Sequence, residues 1–441
     1  MIKLVSRNKN NNFLDSKVFN QYNFFENYEQ SLNKAVIQNL KQEIESRDYY
    51  IMKSEWRKIN GYIVKDIQQR TIITIYGAVT YYRRRYSYFD KEKNKQCYTF
   101  LVDREFQVER KQRISLHLKL KILEEISSGS RQVDILKLYR VSGISQMTIS
   151  NVIRQFNFAN LLNCKNKSYE KIKVDKYLYA WIDETFIKLR NNGRKLTKYR
   201  FRLVTFHTGK RLTNLTSTRN ELINKRAFCL IVPEKEEINT ETFAKQVYNM
   251  ADMFYENIKQ AKIIIGGDGA KWIEDISKSL DNSEYVLDLF HGTRQLYWNL
   301  KKKQNVLYSS IYNHAANLLR KGSYLELINF LKVSSTFMRT QEQKQKLKAL
   351  VKYFKIKKQG IINQGASWNV GVNAEGQVSH IIKWLLSYGA KSFNVKTFSN
   401  MLNSHLAKIN NIDIMQTLRN KKEYELVQKY QYLRYSNWIS N

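Results

Sequence analysis

IIIGGDGAKWI, residues 263–273, is the stretch on which the fold turns. Three β-branched apolar residues run into Gly266-Gly267-Asp268-Gly269 and then into Ala270-Lys271-Trp272-Ile273. Such a run reads as a buried strand that stops at a carboxylate, with a short helix after it. Glycines on both sides of the acid strip side chains away from it and leave room for backbone or phosphate to approach. D-G is also a turn dipeptide, so Asp268 acquires meaning only from partners elsewhere in the chain.

Upstream, KYLYAWIDETFIKL (176–189), KYRFRLVTFHT (198–208) and a third segment near RLTNLTST (211–218) read as strands, and a helix is expected at about 239–258. Downstream come a short helix (270–280) and a further strand, EYVLDLFH (284–291). Residues 292–360 carry little β signal and read as helices, and another helix begins near Ala374. Three strands, a helix, then alternating strands and helices is the order of a ribonuclease H-like α/β core. Here that core would hold an all-helical insertion at about 292–360, before the last acidic residue. Residues 158–400 are assigned to this catalytic domain, with 158–175 as a connector at its start, and 401–441 to a C-terminal helical tail.

Three acids stand out by context. Asp183 lies on the first strand among apolar and aromatic neighbours, with Glu184 pointing to the opposite face. Asp268 ends the fourth strand, and Glu375 opens the helix in NVGVNAEGQVSHIIKWLL, where a first-turn acid also suits the helix dipole. The three are far apart along the chain, and the interval between Asp268 and Glu375 is filled by the helical stretch. In a ribonuclease H-like sheet the first and fourth strands are neighbours, so their acids would meet at one edge and the late helix would bring the third. Three carboxylates around one point repel one another unless a cation neutralises them, which makes Mg²⁺ or Mn²⁺ the natural occupant, with two ions expected. Lys188, Arg190, Lys271 and Arg294 are basic residues expected near the acids. His380, on the same helix as Glu375, does not share its face.

Residues 1–109 are expected to hold a helix around 29–56 and a basic β-hairpin, RTIITIYGAVTYYRRRYSYFD (70–90), followed by a short extended piece, QCYTFLVD (96–103). Arg83, Arg84 and Arg85 interleave with tyrosines, a pattern that can grip phosphate and stack on bases or simply line a half-exposed hairpin. Residues 110–157 then turn helical: ISLHLKLKILEEI (114–126), RQVDILKLYR (131–140) and SQMTISNVIRQF (145–156). Gly143 can take a positive φ in the turn and Ser145 can cap the last helix. The pair reads as a helix-turn-helix DNA-binding domain or as a plain three-helix packing unit. In the first reading Gln146, Thr148, Asn151 and Arg154 face a DNA groove.

The whole chain has 441 residues, with 75 Lys+Arg against 39 Asp+Glu, a net charge of +36. An excess of this size implies a polyanionic partner, although AT-rich codon usage accounts for part of the lysine. No apolar run is long enough to span a bilayer and no signal-peptide pattern opens the chain, so no membrane partner is expected. Cys97, Cys164 and Cys229 are odd in number and widely spaced, which argues against disulfides or a zinc site and fits a reducing, cytoplasmic and nucleoid-associated setting.

The stretches TIITIYGAVTYYRRRY, ISQMTISN, WIDET, GGDGAKWI, LDLFH and NAEGQVSH, spread over roughly residues 70 to 390, resemble the ISLre-type insertion-sequence transposases. These are DDE enzymes more distantly similar to Mutator-like transposases. The resemblance implies a catalytic triad of Asp183, Asp268 and Glu375 and an accessory pair, Asp288 and His291. It further implies metal-dependent cleavage and strand transfer on double-stranded DNA, by a homo-oligomer when DNA is bound. After AEGQVSH the relatives continue with an Arg-bearing segment and a Gly-Trp, whereas this chain reads IIKWLLSYGAKSFNVKTF. A ribonuclease H-like nuclease or resolvase, and an inactive or domesticated DNA-binding derivative, are the alternative readings.

Overall fold

The computed structural model describes residues 12–156, 170–191, 195–214, 219–300, 306–386 and 393–412. It is a mixed α/β protein in two compact units, Met1–Ile126 with Ser130–Val152, and Ser127–Gly129 with Ile153–Asn441.

In the first unit a long helix, Asn12–Lys53, precedes a three-stranded antiparallel sheet, Ile63–Thr74, Gly77–Asp90 and Lys95–Thr99. The helix begins well before residue 29, and the hairpin's first strand starts well before Arg70. The hairpin buries Ile72, Val79 and Tyr81 against Ile37, Leu40 and Ile44 of the helix. Three helices follow, Leu116–Ser127, Gln132–Leu138 and Gln146–Gln155, with Gly143 at φ 65° in the turn before the last. Ser145 Oγ accepts the Thr148 N–H at 3.2 Å and so caps that helix.

The second unit is built on a five-stranded sheet. Its spatial order is Ser283–Leu287, Lys262–Gly267, Tyr177–Arg190, Leu196–His207, Arg226–Pro233. The first three of these are mutually parallel and the last two join antiparallel. Lys262–Gly267 is buried on both faces, which is why its sequence is a continuous apolar run rather than an alternating one. One face packs on Phe243, Ala244, Val247 and Ala251 of the helix Thr240–Phe254 and on the helices Val306–Lys321, Tyr324–Thr336 and Gln341–Ile356. On the other face, Tyr179, Ile264 and Val286 pack against Trp368, Val370 and Val372.

Two strand expectations change. The third core strand is Arg226–Pro233, whereas Gly209–Leu212 and Asn220–Ile223 form a separate two-stranded ribbon. The fifth strand stops at Leu287, because Asp288 turns its carboxylate onto the Phe290 N–H and starts the helix Leu289–Leu300. His291 therefore lies in a helix's first turn and not at a strand end. Residues 215–218, Cys164 and nearly all of the expected C-terminal tail, from 413 onward, lie outside the described residues. Among the described residues no helix is long and apolar enough to cross a membrane.

Candidate active site

Register brings the acids together. Gly266 pairs with Trp181 across the first interface and Gly267 with Leu287 across the second. Continuing each ladder to Asp268 sets it level with Asp183 on one side and Asp288 on the other, and the Asp288 N–H donates to Gly267 O at 2.7 Å. In a parallel sheet, residues at one level point to the same side, and side chains alternate along each strand. Asp183 thus shares a face with Tyr179, Asp268 with Ile264, and Asp288 with Val286. This is the face crossed by the strap through Trp368, Val370 and Val372, and the strap leads directly into the helix Ala374–Ile381 that carries Glu375.

The glycines now have a partly different explanation from room for phosphate. A Cβ on Gly266 would lie 2.6 Å from Val372 Cγ2 and 3.0 Å from Trp181 Cδ1, so the strap occupies the space a side chain would need. Gly267 is closed in by Ile273 and by Ile182 O. Gly269 has φ 94°, a backbone state suited to glycine, and its carbonyl accepts from the buried Lys357 ammonium.

Each aspartate has one oxygen tied to a nearby backbone N–H. Asp183 Oδ1 accepts from Glu184 N at 2.7 Å, Asp268 Oδ1 from Ala270 N at 2.8 Å, and Asp288 Oδ1 from Phe290 N at 2.9 Å. Asp183 is 9 % exposed. Burial pushes its carboxyl up to about 7; the Glu184 N–H opposes this, and the charges of Asp268, Glu375 and Asp288 add to it. Burial also raises Asp288, against the Phe290 N–H and the nearby His291. Glu375 Oε2 is buried without a hydrogen-bond partner, and its approach to His291 Nε2 is 3.8 Å. The other ring nitrogen of His291 lies 3.3 Å from Arg294 Nη2.

Sequence reasoning missed Lys210. It lies over the Trp181 ring at 4.6 Å and donates to Gly371 O at 3.0 Å. Burial lowers its pKa, and the charge of Asp288 works in the other direction. A lysine in the short ribbon after a strand carries no local signal of this placement. His207, wedged between Tyr179 and Trp181, is held neutral by burial, its pKa pushed down to about 3.

Other expected residues are placed elsewhere. Glu184, on the opposite face, pairs with Arg202 at 2.8 Å and Arg200 at 3.6 Å. Lys188 and Arg190 share that face by strand alternation, so they do not join the acids. Lys271 is exposed at the start of the helix after Asp268, and His380 is exposed on the helix of Glu375. In the first unit Arg83 is buried and paired with Asp103, which also binds Arg70 at 2.7 Å; Arg84 pairs with Asp48 at 2.6 Å, and Arg85 with Asp66. The charge of the arginine run is thus largely answered from within. Gln146 and Asn151 are exposed on their helix, while Thr148 and Arg154 are half-buried.

Among the described residues no three His, Cys, Asp or Glu side chains already converge on one point as a ligand set. The donor chemistry nevertheless fits a hard divalent cation: carboxylate oxygens only, mutual repulsion felt at Asp183, and a buried Glu375 oxygen lacking a partner.

Comparison with known proteins gives a family but no chemistry. The model of the Uncharacterised protein family (UPF0236) matches residues 16–425. One UPF0236 protein of Caldanaerobacter subterraneus subsp. tengcongensis is 28 % identical over 341 residues, covering 76 % of this chain and 67 % of the relative. A second from the same organism is 28 % identical, with 76 % and 63 % covered. The chain thus spans about two thirds of the length of these curated relatives. Among solved structures, a Mos1 transposase paired-end complex with left transposon end aligns over 61 % of this chain and 88 % of its own, at 14 % identity and a TM-score of 0.17.

Proposed function

The chain belongs to the UPF0236 family, and since that membership assigns no reaction, we propose from its acid row that it is a DDE-type transposase with a ribonuclease H-like core. One observation supports the reading: the strands next to the one carrying Asp183 and next to each other end just before Asp268 and Asp288, and buried Asp183 feels the charges of Asp268, Glu375 and Asp288. The sheet order, with the first strand beside the fourth, is the order that this reading expects. The resemblance to ISLre-type transposases supports the same three residues, Asp183, Asp268 and Glu375.

In this proposal Asp183, Asp268 and Glu375 hold one or two Mg²⁺ or Mn²⁺ ions, with Asp288 beside them. When bound, such ions supply Lewis-acid stabilisation to the attacking and leaving oxygens of a phosphodiester. His291, whose Nε2 stands 3.8 Å from Glu375 Oε2, is in position to orient that carboxylate. Lys210 and Arg294 supply positive charge for the phosphates of the strand being cut. The excess of 36 positive charges draws the protein to DNA, and the helix Gln146–Gln155 offers Gln146, Thr148, Asn151 and Arg154 for reading a groove. Acting on two element ends calls for a homo-oligomer on DNA.

The test is Mg²⁺-dependent cleavage and joining of DNA carrying the sequences that flank the reading frame. Asp268→Asn should reduce strand cleavage at least about a hundredfold, the scale set by losing one charge-stabilising group at a reacting centre. It should leave the gel shift of the same DNA intact. Cleavage at the wild-type rate would remove Asp268 from the reaction. Cut ends without joined products would replace strand transfer with simple hydrolysis.

A further inference from the structure

The helix that begins at Asp288 carries an unusual stripe. Phe290, Arg294 and Trp298 follow one another at four-residue spacing and so line one side of the helix. Phe290 is 53 % and Trp298 58 % exposed. The Arg294 guanidinium lies 5.4 Å from the centre of each ring, between the two. Apolar burial therefore does not explain these rings. The stripe is also linked to the acids: Arg294 reaches His291, and His291 reaches Glu375. From Asp288 to Trp298 the helix rises about 15 Å, or roughly four nucleotides at the stacked spacing of a DNA strand.

We propose that Phe290, Arg294 and Trp298 form a stacking platform for unpaired bases of the DNA strand next to the acid row. Flat rings flanking a cation, exposed and in line with the candidate active site, match the two faces of a single strand. The rings take the base planes, and the guanidinium takes a phosphate. Paired bases keep their faces inside the duplex, so the platform selects DNA with unpaired nucleotides. The inference rests on the transposase reading for its location, but its test concerns binding and not cleavage.

The probes are a blunt duplex and the same duplex with a four-nucleotide 3′ single-stranded extension bearing 2-aminopurine. Both are titrated with the full chain in EDTA, in the Asp268→Asn background. The extended probe should bind more tightly, with quenched 2-aminopurine emission. Trp298→Ala should weaken its binding about tenfold, within the range of one lost base–aromatic stack, and restore the emission. It should change blunt-duplex affinity less than about twofold, and Trp298→Phe should retain most of the effect. Equal loss on both probes, or no loss on either, would overturn the platform. If the extension effect holds while wild-type protein with Mg²⁺ never cuts, the platform stands and the transposase reading falls. If wild type cuts but Trp298→Ala binds both probes like its parent, only the platform falls.

Discussion

Asp183 should cost the protein stability for as long as it lacks a cation, and Asp183→Asn measures that cost. Its carboxyl is raised from the ordinary 3.8 to about 7, chiefly by burial and further by Asp268, Glu375 and Asp288. A group whose folded pKa is raised contributes stability that is fully present below about 3.8 and lost as pH rises through about 7. By pH 8 the loss is complete, roughly three pKa steps at about 1.4 kcal/mol each, or on the order of 4 kcal/mol. Asparagine keeps an oxygen for the Glu184 N–H bond at 2.7 Å but carries no charge. Urea unfolding at pH 8 in EDTA should therefore find Asp183→Asn more stable than wild type by about 2–4 kcal/mol, with the difference vanishing near pH 4. Millimolar Mg²⁺ should stabilise the wild type and leave the variant almost unchanged, because only a ligand that prefers the folded state shifts the equilibrium. Cleavage should be lost in the same variant. A variant less stable than wild type in EDTA at pH 8 would refute the argument, since Asp183 could not then be sitting among like charges away from water.

Two further changes probe the framework. Gly266→Ala forces a methyl to within 2.6 Å of Val372 and should cost about 1–3 kcal/mol of stability as well as lowering cleavage, and adding Val372→Ala should recover at least half of both losses; a double variant no better than the single one would exclude the strap as the cause. Asp103→Ala leaves the buried Arg70 and Arg83 without their shared carboxylate, so thermal unfolding should show the first unit weakened by about 3–5 kcal/mol, and a change below about 1 kcal/mol would mean that water already satisfies the two arginines.

Much of the second unit was legible because the informative signals are local. The apolar run before Asp268, the aromatic strand around Asp183 and the helix start at Ala374 each declare themselves within their own short segment. What escaped depends on distant partners. Arg226–Pro233 gains its place by pairing with Tyr199–Phe206, while Arg211 and Leu212, at the start of the nearer RLTNLTST, pair in the separate ribbon. The arginine run looked outward because Asp48, Asp66 and Asp103, which answer it, all lie outside the hairpin strand that carries it. The bare Gly266 matches Val372, far later in the chain, which no single-sequence pattern announces. The helix beginning at Asp288 was hidden because LDLF suits a strand as well as a helix until the aspartate's bond to Phe290 N is known.

Glu375 comes long after Asp183 in the chain, just past the strap that packs on the sheet. During synthesis all five strands of the sheet are made before Glu375 is translated, so a partly made chain carries the three aspartates without the glutamate. On the proposed transposase reading, late completion of this kind would keep a nascent chain from cutting DNA. On the same reading, a frameshift or stop between Asp288 and Glu375 would give a product that binds DNA without cleaving it.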